Sequence, residues 1–332
     1  MKINTPIFIL TALAAAATGC NKTSAPEVPF DPVVRVAPEV APATKGSYTT
    51  ETLKEFDLFI GSANSKYSYT NTKFTKNETS GEWAPACQML WEGKNAKFDF
   101  LAVAPPLQTS GHSITGVSGY YDPVFSFRVE AVQTEESNAS DLLWAYKNEA
   151  SREDTGLFDG EGKMRIAFSH ALSKLKVRLT LGTEFNHDGV PQGNPVSELK
   201  IDGFHLETNV QRNDNLGVYE TSPTGAEETV QAYLSKWDRA VDEAGNDDKT
   251  KNCEAVFECI VVPQNWTDFT VNFICGGKPY TYKATCGQYQ GLLASGKAYT
   301  LPLTVGKDEV ILGGDITASP WVDVDASDME TD

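Results

Sequence analysis

Near the middle of the chain, Leu175-Lys-Val-Arg-Leu-Thr-Leu181 alternates apolar and polar residues without a break. A period of two puts Leu175, Val177, Leu179 and Leu181 on one face of an extended strand. Lys176, Arg178 and Thr180 fall on the other. Short runs of related character recur along the sequence. Phe56–Ile60, Phe98–Ala104, Asp122–Val129 and Met164–Phe168 lie upstream. Ser197–Leu206, Cys253–Val262, Phe269–Cys275, Tyr280–Cys286 and Lys297–Val305 follow. Clusters of Gly, Pro, Asn and Ser bound them, which is the pattern of a β-sandwich or barrel. Gly276-Gly277-Lys278-Pro279 reads as a hairpin-type link. Asp141–Ala145 reads as a strand or a single turn, and 147–163 as a polar loop between larger units. The fold class expected is all-β.

The first twenty residues obey a different logic. Lys2 precedes an apolar stretch, Ile7 to Ala17, and small residues lead to Cys20. This is the order of a lipoprotein secretion signal. A stretch of about 11 residues is too short to cross a ~30 Å hydrocarbon core as a helix. The expectation is a signal over 1–19, cleavage before Cys20, and an acyl chain such as palmitate on the Cys20 thiol. The mature chain then works tethered to a membrane in an oxidising compartment. Residues 20–32 are polar and Pro-bearing and read as the tether.

Val33-Val-Arg-Val-Ala-Pro-Glu-Val40 is rich in β-branched residues but carries Pro38. A proline removes one ladder donor, so this segment is expected at a sheet edge. Ala41–Ser47 is small and flexible, with Lys45 near its centre. A domain boundary is placed near residue 165, giving 33–164 and 165–322, with an acidic tail at 323–332.

The 332 residues carry a formal net charge of −17. That excess of acid argues against nucleic acid, which needs clustered Lys and Arg, and against docking on an anionic bilayer. No histidines have metal-ligand spacing and no C-x-x-C pair exists, so neither metal nor cofactor is expected. Besides Cys20 the cysteines are Cys87, Cys253, Cys259, Cys275 and Cys286. Cys259, Cys275 and Cys286 sit in β-like apolar runs, as small buried hydrophobes or as members of one or two disulfides. No nucleophile elbow, zincin helix or phosphate loop is present. His112 beside Ser113 makes no triad. Asp242–Asp248 lacks the spacing of a calcium loop and reads as solvated. His170 is expected to be a satisfied, half-buried residue at a strand end. Trp144, Trp266 and Trp321 are expected to pack, with sugar stacking the alternative.

Several segments recur together in a known order: Phe56-Asp-Leu-Phe-Ile60, Phe98-Asp-Phe-Leu-Ala-Val-Ala-Pro105, Asp141-Leu-Leu-Trp-Ala145 and Phe168-Ser-His-Ala-Leu-Ser-Lys-Leu-Lys-Val177. Val261-Val-Pro-Gln264, Tyr299–Val305 and Ile316-Thr-Ala-Ser-Pro-Trp321 complete it. In this the chain resembles the fimbrillin-like proteins of Bacteroides-type bacteria, the subunits of type V pili. The resemblance implies two tandem transthyretin-like β-sandwich domains and a non-enzymatic role. It also implies a lipoprotein precursor at the outer membrane and cell surface, and assembly into a fimbrium with other fimbrillin subunits. In that family a trypsin-like protease cuts after a basic residue near the N-terminus and the first strand leaves. A strand from the next subunit then fills the groove. By position the cut falls between Lys45 and Gly46, where the family more often has Arg, with Arg35 as the alternative. The displaced strand carries Val33, Val34, Val36 and Val40. The candidate donor is Glu309–Thr317, extending through Val324, with Val310, Leu312 and Ile316 as its apolar residues and a bend at Gly313-Gly314. A lipid-anchored adhesin or tip protein that binds a glycan or host protein is the rival reading.

Overall fold

A computed structural model describes residues 30–41, 47–62, 66–107, 113–118, 122–213, 216–266, 268–284 and 291–321. The strands before residue 165 are β1 (Val36–Val40), β2 (Glu55–Gly61), β3 (Tyr69–Lys76), β4 (Trp83–Pro85), β5 (Phe98–Ala104), β6 (Ser113–Ser118), β7 (Asp122–Arg128), β8 (Leu143–Ala150) and β9 (Met164–His170). There follow β10 (Ser173–Leu181), β11 (Val196–Asn213), β12 (Val218–Gln231), β13 (Tyr233–Asp238), β14 (Cys253–Val261), β15 (Asn265–Trp266) and β16 (Phe269–Cys275). The chain closes with β17 (Lys278–Ala284), β18 (Gly291–Leu292), β19 (Lys297–Val305), β20 (Val310–Leu312) and β21 (Thr317–Pro320). The protein is all-β, as the periodicity requires.

Three larger sheets organise these strands. A seven-stranded sheet runs β1-β9-β8-β5-β2-β3-β4. A second runs β13-β14-β10-β19-β20, with β21 also on β19. A third runs β17-β16-β11-β7-β6, with β12 also on β11. Two pairings are parallel, β1 with β9 and β10 with β19, and the other pairings between strands are antiparallel. β6 and β7 precede residue 165, yet β7 pairs with β11 through Phe125↔Val210 and Arg128↔Glu207. Strands from both sides of residue 165 therefore share a sheet. The polar segment before it contributes 147–150 to β8, and its turns begin at 151.

The Leu175–Leu181 face behaves as its period predicts. Leu175, Val177, Leu179 and Leu181 are fully buried in the larger core cluster. The β16–β17 hairpin turns on Gly276 and Gly277, at φ +57° and +83°. Both positions need the left-handed region, which a tight primed turn demands and glycine tolerates.

Phe98–Ala104 and Phe56–Ile60 are apolar at nearly every position because both faces of these strands are covered. Phe98, Phe100, Ala102 and Ala104 enter a smaller cluster, whereas Leu101 and Val103 enter the larger one. On β2, Phe56, Leu58 and Ile60 face the smaller cluster and Phe59 the larger. On β8, Leu143 and Ala145 flank Trp144 in the same way. The middle of the seven-stranded sheet is thus common to both cores. Asp57, buried between these phenylalanines, accepts a hydrogen bond from the Leu107 N–H at 2.8 Å.

Candidate functional site

β1 is the outermost strand of the seven-stranded sheet, where Pro38 costs no ladder bond that a neighbour needs. Its five residues pair in parallel with Met164–Phe168 of β9. Just ahead of it, Val34 N–H donates to Met89 at 3.0 Å, and Trp91 N–H donates to Pro32 at 2.7 Å. Val34, Val36 and Val40 are buried in the smaller cluster with Met89, Trp91, Met164 and Phe168. Three buried valines contribute on the order of 5 kcal/mol. Val33 is half-buried and forms an isolated bridge to Leu90, and Arg35 is exposed while its carbonyl accepts from Met164 N–H at 2.8 Å. The other flank of β1 faces a groove of about 870 Å³ whose far wall is β4, the opposite edge of the same sheet.

Past β1 the chain is fastened again. Val40 N–H donates to Thr50 Oγ1 at 3.0 Å, and the Thr50 hydroxyl donates back to the Val40 carbonyl at 3.3 Å. Tyr48 N–H donates to Asp141 Oδ2 at 2.8 Å. The Tyr48 phenol is pushed up to about 12, first by burial and then by the negative charges of Asp141 and Glu55. The proposed lipidation site Cys20 and the proposed cut between Lys45 and Gly46 lie outside the described residues, as do Cys286, His112 and the acidic tail.

The other oxygen of Asp141 holds His170, with Nδ1 at 2.9 Å from Oδ1. A carboxylate only accepts, so Nδ1 carries the shared proton. His170 is fully buried at 3% exposure, deeper than expected, and its Nε2 has no hydrogen-bond partner among the described residues. The indole of Trp321 lies on the imidazole, centroids 4.2 Å apart and 14° from parallel. Lys174 Nζ sits 5.5 Å from the centre of the same indole. Two polar residues of the Phe168–Val177 motif, His170 and Lys174, therefore seat the tryptophan of the Ile316–Trp321 motif. Sequence reasoning does not link the two motifs, because Trp321 lies about 150 residues beyond His170 and Lys174 and no periodicity spans that distance. Lys174 is buried too, with Glu258 Oε2 at 3.0 Å, and Tyr233 donates to that oxygen at 3.5 Å. Burial, then the Glu258 charge, raises the Tyr233 phenol well above its ordinary range.

The candidate donor residues lie along β19. β20 pairs Val310 with Val305 and Leu312 with Leu303, and β21 pairs Thr317 through Pro320 with Thr300 through Lys297. Both lie on the same side of β19, so they form one strand interrupted around Gly313-Gly314. Val310, Leu312 and Ile316 are half-buried against the larger cluster. Cys87, Cys253, Cys259 and Cys275 are free thiols, Cys87 exposed and the others buried. In the acidic loop, Asp242 accepts from the Ala244 and Asn246 N–H groups, which caps a turn. Among the described residues no group of three or more His, Cys, Asp or Glu is placed to hold a metal ion.

Comparison with solved structures finds the same fold in several proteins. A candidate cell adhesion protein from Bacteroides ovatus aligns with a TM-score of 0.57 at 15% identity, over 90% of this chain and 100% of that one. Another from Bacteroides uniformis gives 0.54 at 17% identity, over 88% and 100%. A fimbrial protein from Bacteroides vulgatus gives 0.51 at 16% identity, over 88% and 100%. No curated protein sequence matches the chain. The fimbrillin-like family pattern matches residues 43–321. The chain belongs to the fimbrillin-like family.

Proposed function

We propose that this protein is a structural subunit of a cell-surface fimbria, joined to its neighbours by strand exchange and without catalytic activity. The observation that carries the reading is β1: an edge strand, paired on one side only, whose valines fill one core. Such a strand can leave without cutting through the sheet, and the vacated groove offers main-chain partners and pockets spaced for alternate side chains. The groove between β1 and β4 supports this by giving an incoming strand a place to start. The precursor travels as a lipoprotein through Cys20 to the outer membrane. A trypsin-like protease then cuts after Lys45, with Arg35 the alternative, and releases Val33, Val34, Val36 and Val40 with the lipid. The donor is the C-terminal segment with Val310, Leu312 and Ile316. The two sandwich units are 33–164 and 165–322, with β6 and β7 of the first part completing a sheet of the second.

Mild trypsin on purified precursor tests this. Trimming up to Lys45 should start a ladder of polymers on gels, and Lys45→Ala should abolish it. A trimmed protein that stays monomeric under all conditions sinks the reading. Cys20→Ala should release the protein from membranes.

A cleft of about 340 Å³ between β8, β12 and the loops around Asn265 and Ser295 favours a second reading as an adhesin. Trp144 and Tyr219 line it, with Glu220 and Asn265 at its rim. Binding of neutral glycans that is lost in Tyr219→Ala would support that role.

A further inference from the structure

We propose that Trp321 is a latch. Its indole holds the C-terminal segment β20–β21 on its own subunit, and the Asp141–His170 pair beneath it ties that hold to the chain following β1. The proposal rests on the strand-exchange reading, because it concerns when the C-terminal segment becomes available.

Apart from its short ladders on β19 and the half-buried Val310, Leu312 and Ile316, the segment is exposed. All four residues of β21 are exposed, and Ile311 of β20 is 51% exposed. The interruption at Gly313-Gly314 divides its ladder into two short pieces. Trp321, by contrast, is 3% exposed, and its N–H donates to the Gly296 carbonyl at 2.9 Å. Its burial is the largest apolar contribution in the segment.

The seat holds the ring without a hydrogen bond to its nitrogen, as also happens at Trp91 and Trp237. A buried indole nitrogen normally finds an acceptor. Among the described residues neither Trp321 Nε1 nor His170 Nε2 has a hydrogen-bond partner. The ring is held by stacking, the nearby Lys174 charge and exclusion of water, so it can leave without breaking an indole hydrogen bond.

Asp141 connects the latch to the other end of the molecule. One carboxylate oxygen fixes the His170 ring under Trp321, and the other takes the Tyr48 N–H. Two residues on, Thr50 is bonded both ways to Val40, the last residue of β1. Loss of β1 removes the partner of the Thr50 hydroxyl, leaves Thr50 held through its carbonyl by Lys76 Nζ at 3.3 Å, and loosens Tyr48. Asp141 then loses one of the two bonds that orient it, and the imidazole loses its fixed plane. Coupling of this kind requires an element with two discrete states, and the C-terminal segment supplies one, docked or undocked. An uncut subunit thus keeps its own C-terminal strand, and a subunit that has lost β1 offers it.

Hydrogen exchange on the intact, uncut chain tests the latch. Trp321→Ala should speed exchange of the amides in 310–312 and 317–319 by at least about tenfold, as loss of a buried tryptophan to a local opening implies. Trp321→Phe, which keeps a ring on His170, should recover much of the protection, and β10 should not change. Asp141→Asn should speed exchange both in those residues and in 36–40. Unchanged protection of 310–319 in Trp321→Ala overturns the latch. Acceleration spread equally over β10, with no recovery in Trp321→Phe, overturns it as well. If Asp141→Asn loosens only 36–40, the tie between the two ends is refuted. None of these measurements needs polymerisation. Failure of the wild-type ladder with the exchange pattern intact would reject strand exchange and leave the latch standing.

Discussion

Val36 of β1 stands directly opposite Met164 of β9 in parallel register, and both side chains are buried in the smaller core cluster. The pairing makes the first strand part of the core while leaving it at the margin of the sheet. Val36→Ala should therefore lower the stability of the uncut protein by about 1–3 kcal/mol, through lost burial and an unfilled space. The check is a urea midpoint that falls with an unchanged slope. The same substitution should hasten loss of the strand from a protein cut after Lys45.

Lys174 and Glu258 form an ion pair with side-chain exposures of 1% and 6%. Removing one partner strands a charge in the interior, which costs about 3–5 kcal/mol. Glu258→Gln should be strongly destabilising, and Lys174→Met less so, because Lys176 Nζ still lies 3.7 Å from Glu258 Oε1. The double variant should be closer to wild type than the two singles added together. A double-mutant cycle by chemical denaturation reads the coupling directly.

Asp57 gives a pH prediction whose sign is fixed by burial. Burial first, and the nearby Glu55 charge in smaller part, hold its carboxyl above the ordinary range against the Leu107 N–H and Lys73, which pull it down. The folded chain therefore binds this proton more tightly than the unfolded chain. The penalty for ionising Asp57 is absent below the ordinary carboxylate range, grows as pH rises through the folded value, and is complete at neutral pH. Asp57→Asn keeps an acceptor for Leu107 and should raise Tm at neutral pH, with the gain shrinking toward acid. A gain that is the same at all pH values would contradict this.

Burial pushes the Cys259 thiol up to about 12 and the Cys275 thiol up to about 11. Only the thiolate reacts with alkylating agents. At mildly alkaline pH, iodoacetamide should label Cys87 in the native protein. Cys253, Cys259 and Cys275 should remain unlabelled until denaturant is added, as peptide mass spectrometry would show.

Much of this fold is legible where one face of a strand is wet. The alternation of Leu175–Leu181 names its own buried face, and Pro38 marks β1 as an edge. β12 is illegible for the opposite reason. Its sequence, with Pro223, Gly225 and three glutamates, has the composition of a loop and survives as a strand because, among the described strands, β11 alone pairs along it, with a single further bridge from Gln231 to Val132. The continuous apolar run of β5 signals a strand but not that its two faces serve different cores, since a period-two argument needs polar positions to count. The seat of Trp321 is the least legible feature. His170 reads as a half-buried strand end and nothing in the spacing of Lys174 marks it as buried, yet both are buried, with a residue about 150 positions away folded over them. Charge spacing and periodicity describe neighbours along the chain, and the site is made by residues distant in it.

The strand triplet β2, β5 and β8 gives Phe59, Leu101, Val103 and Trp144 to one core and their alternating neighbours to the other. Two cores that share a wall have no soft joint at that wall. A pull transmitted along the chain meets a hydrogen-bonded partition there, and the cores yield together or not at all. For a component of a filament, that partition is a source of tensile stiffness.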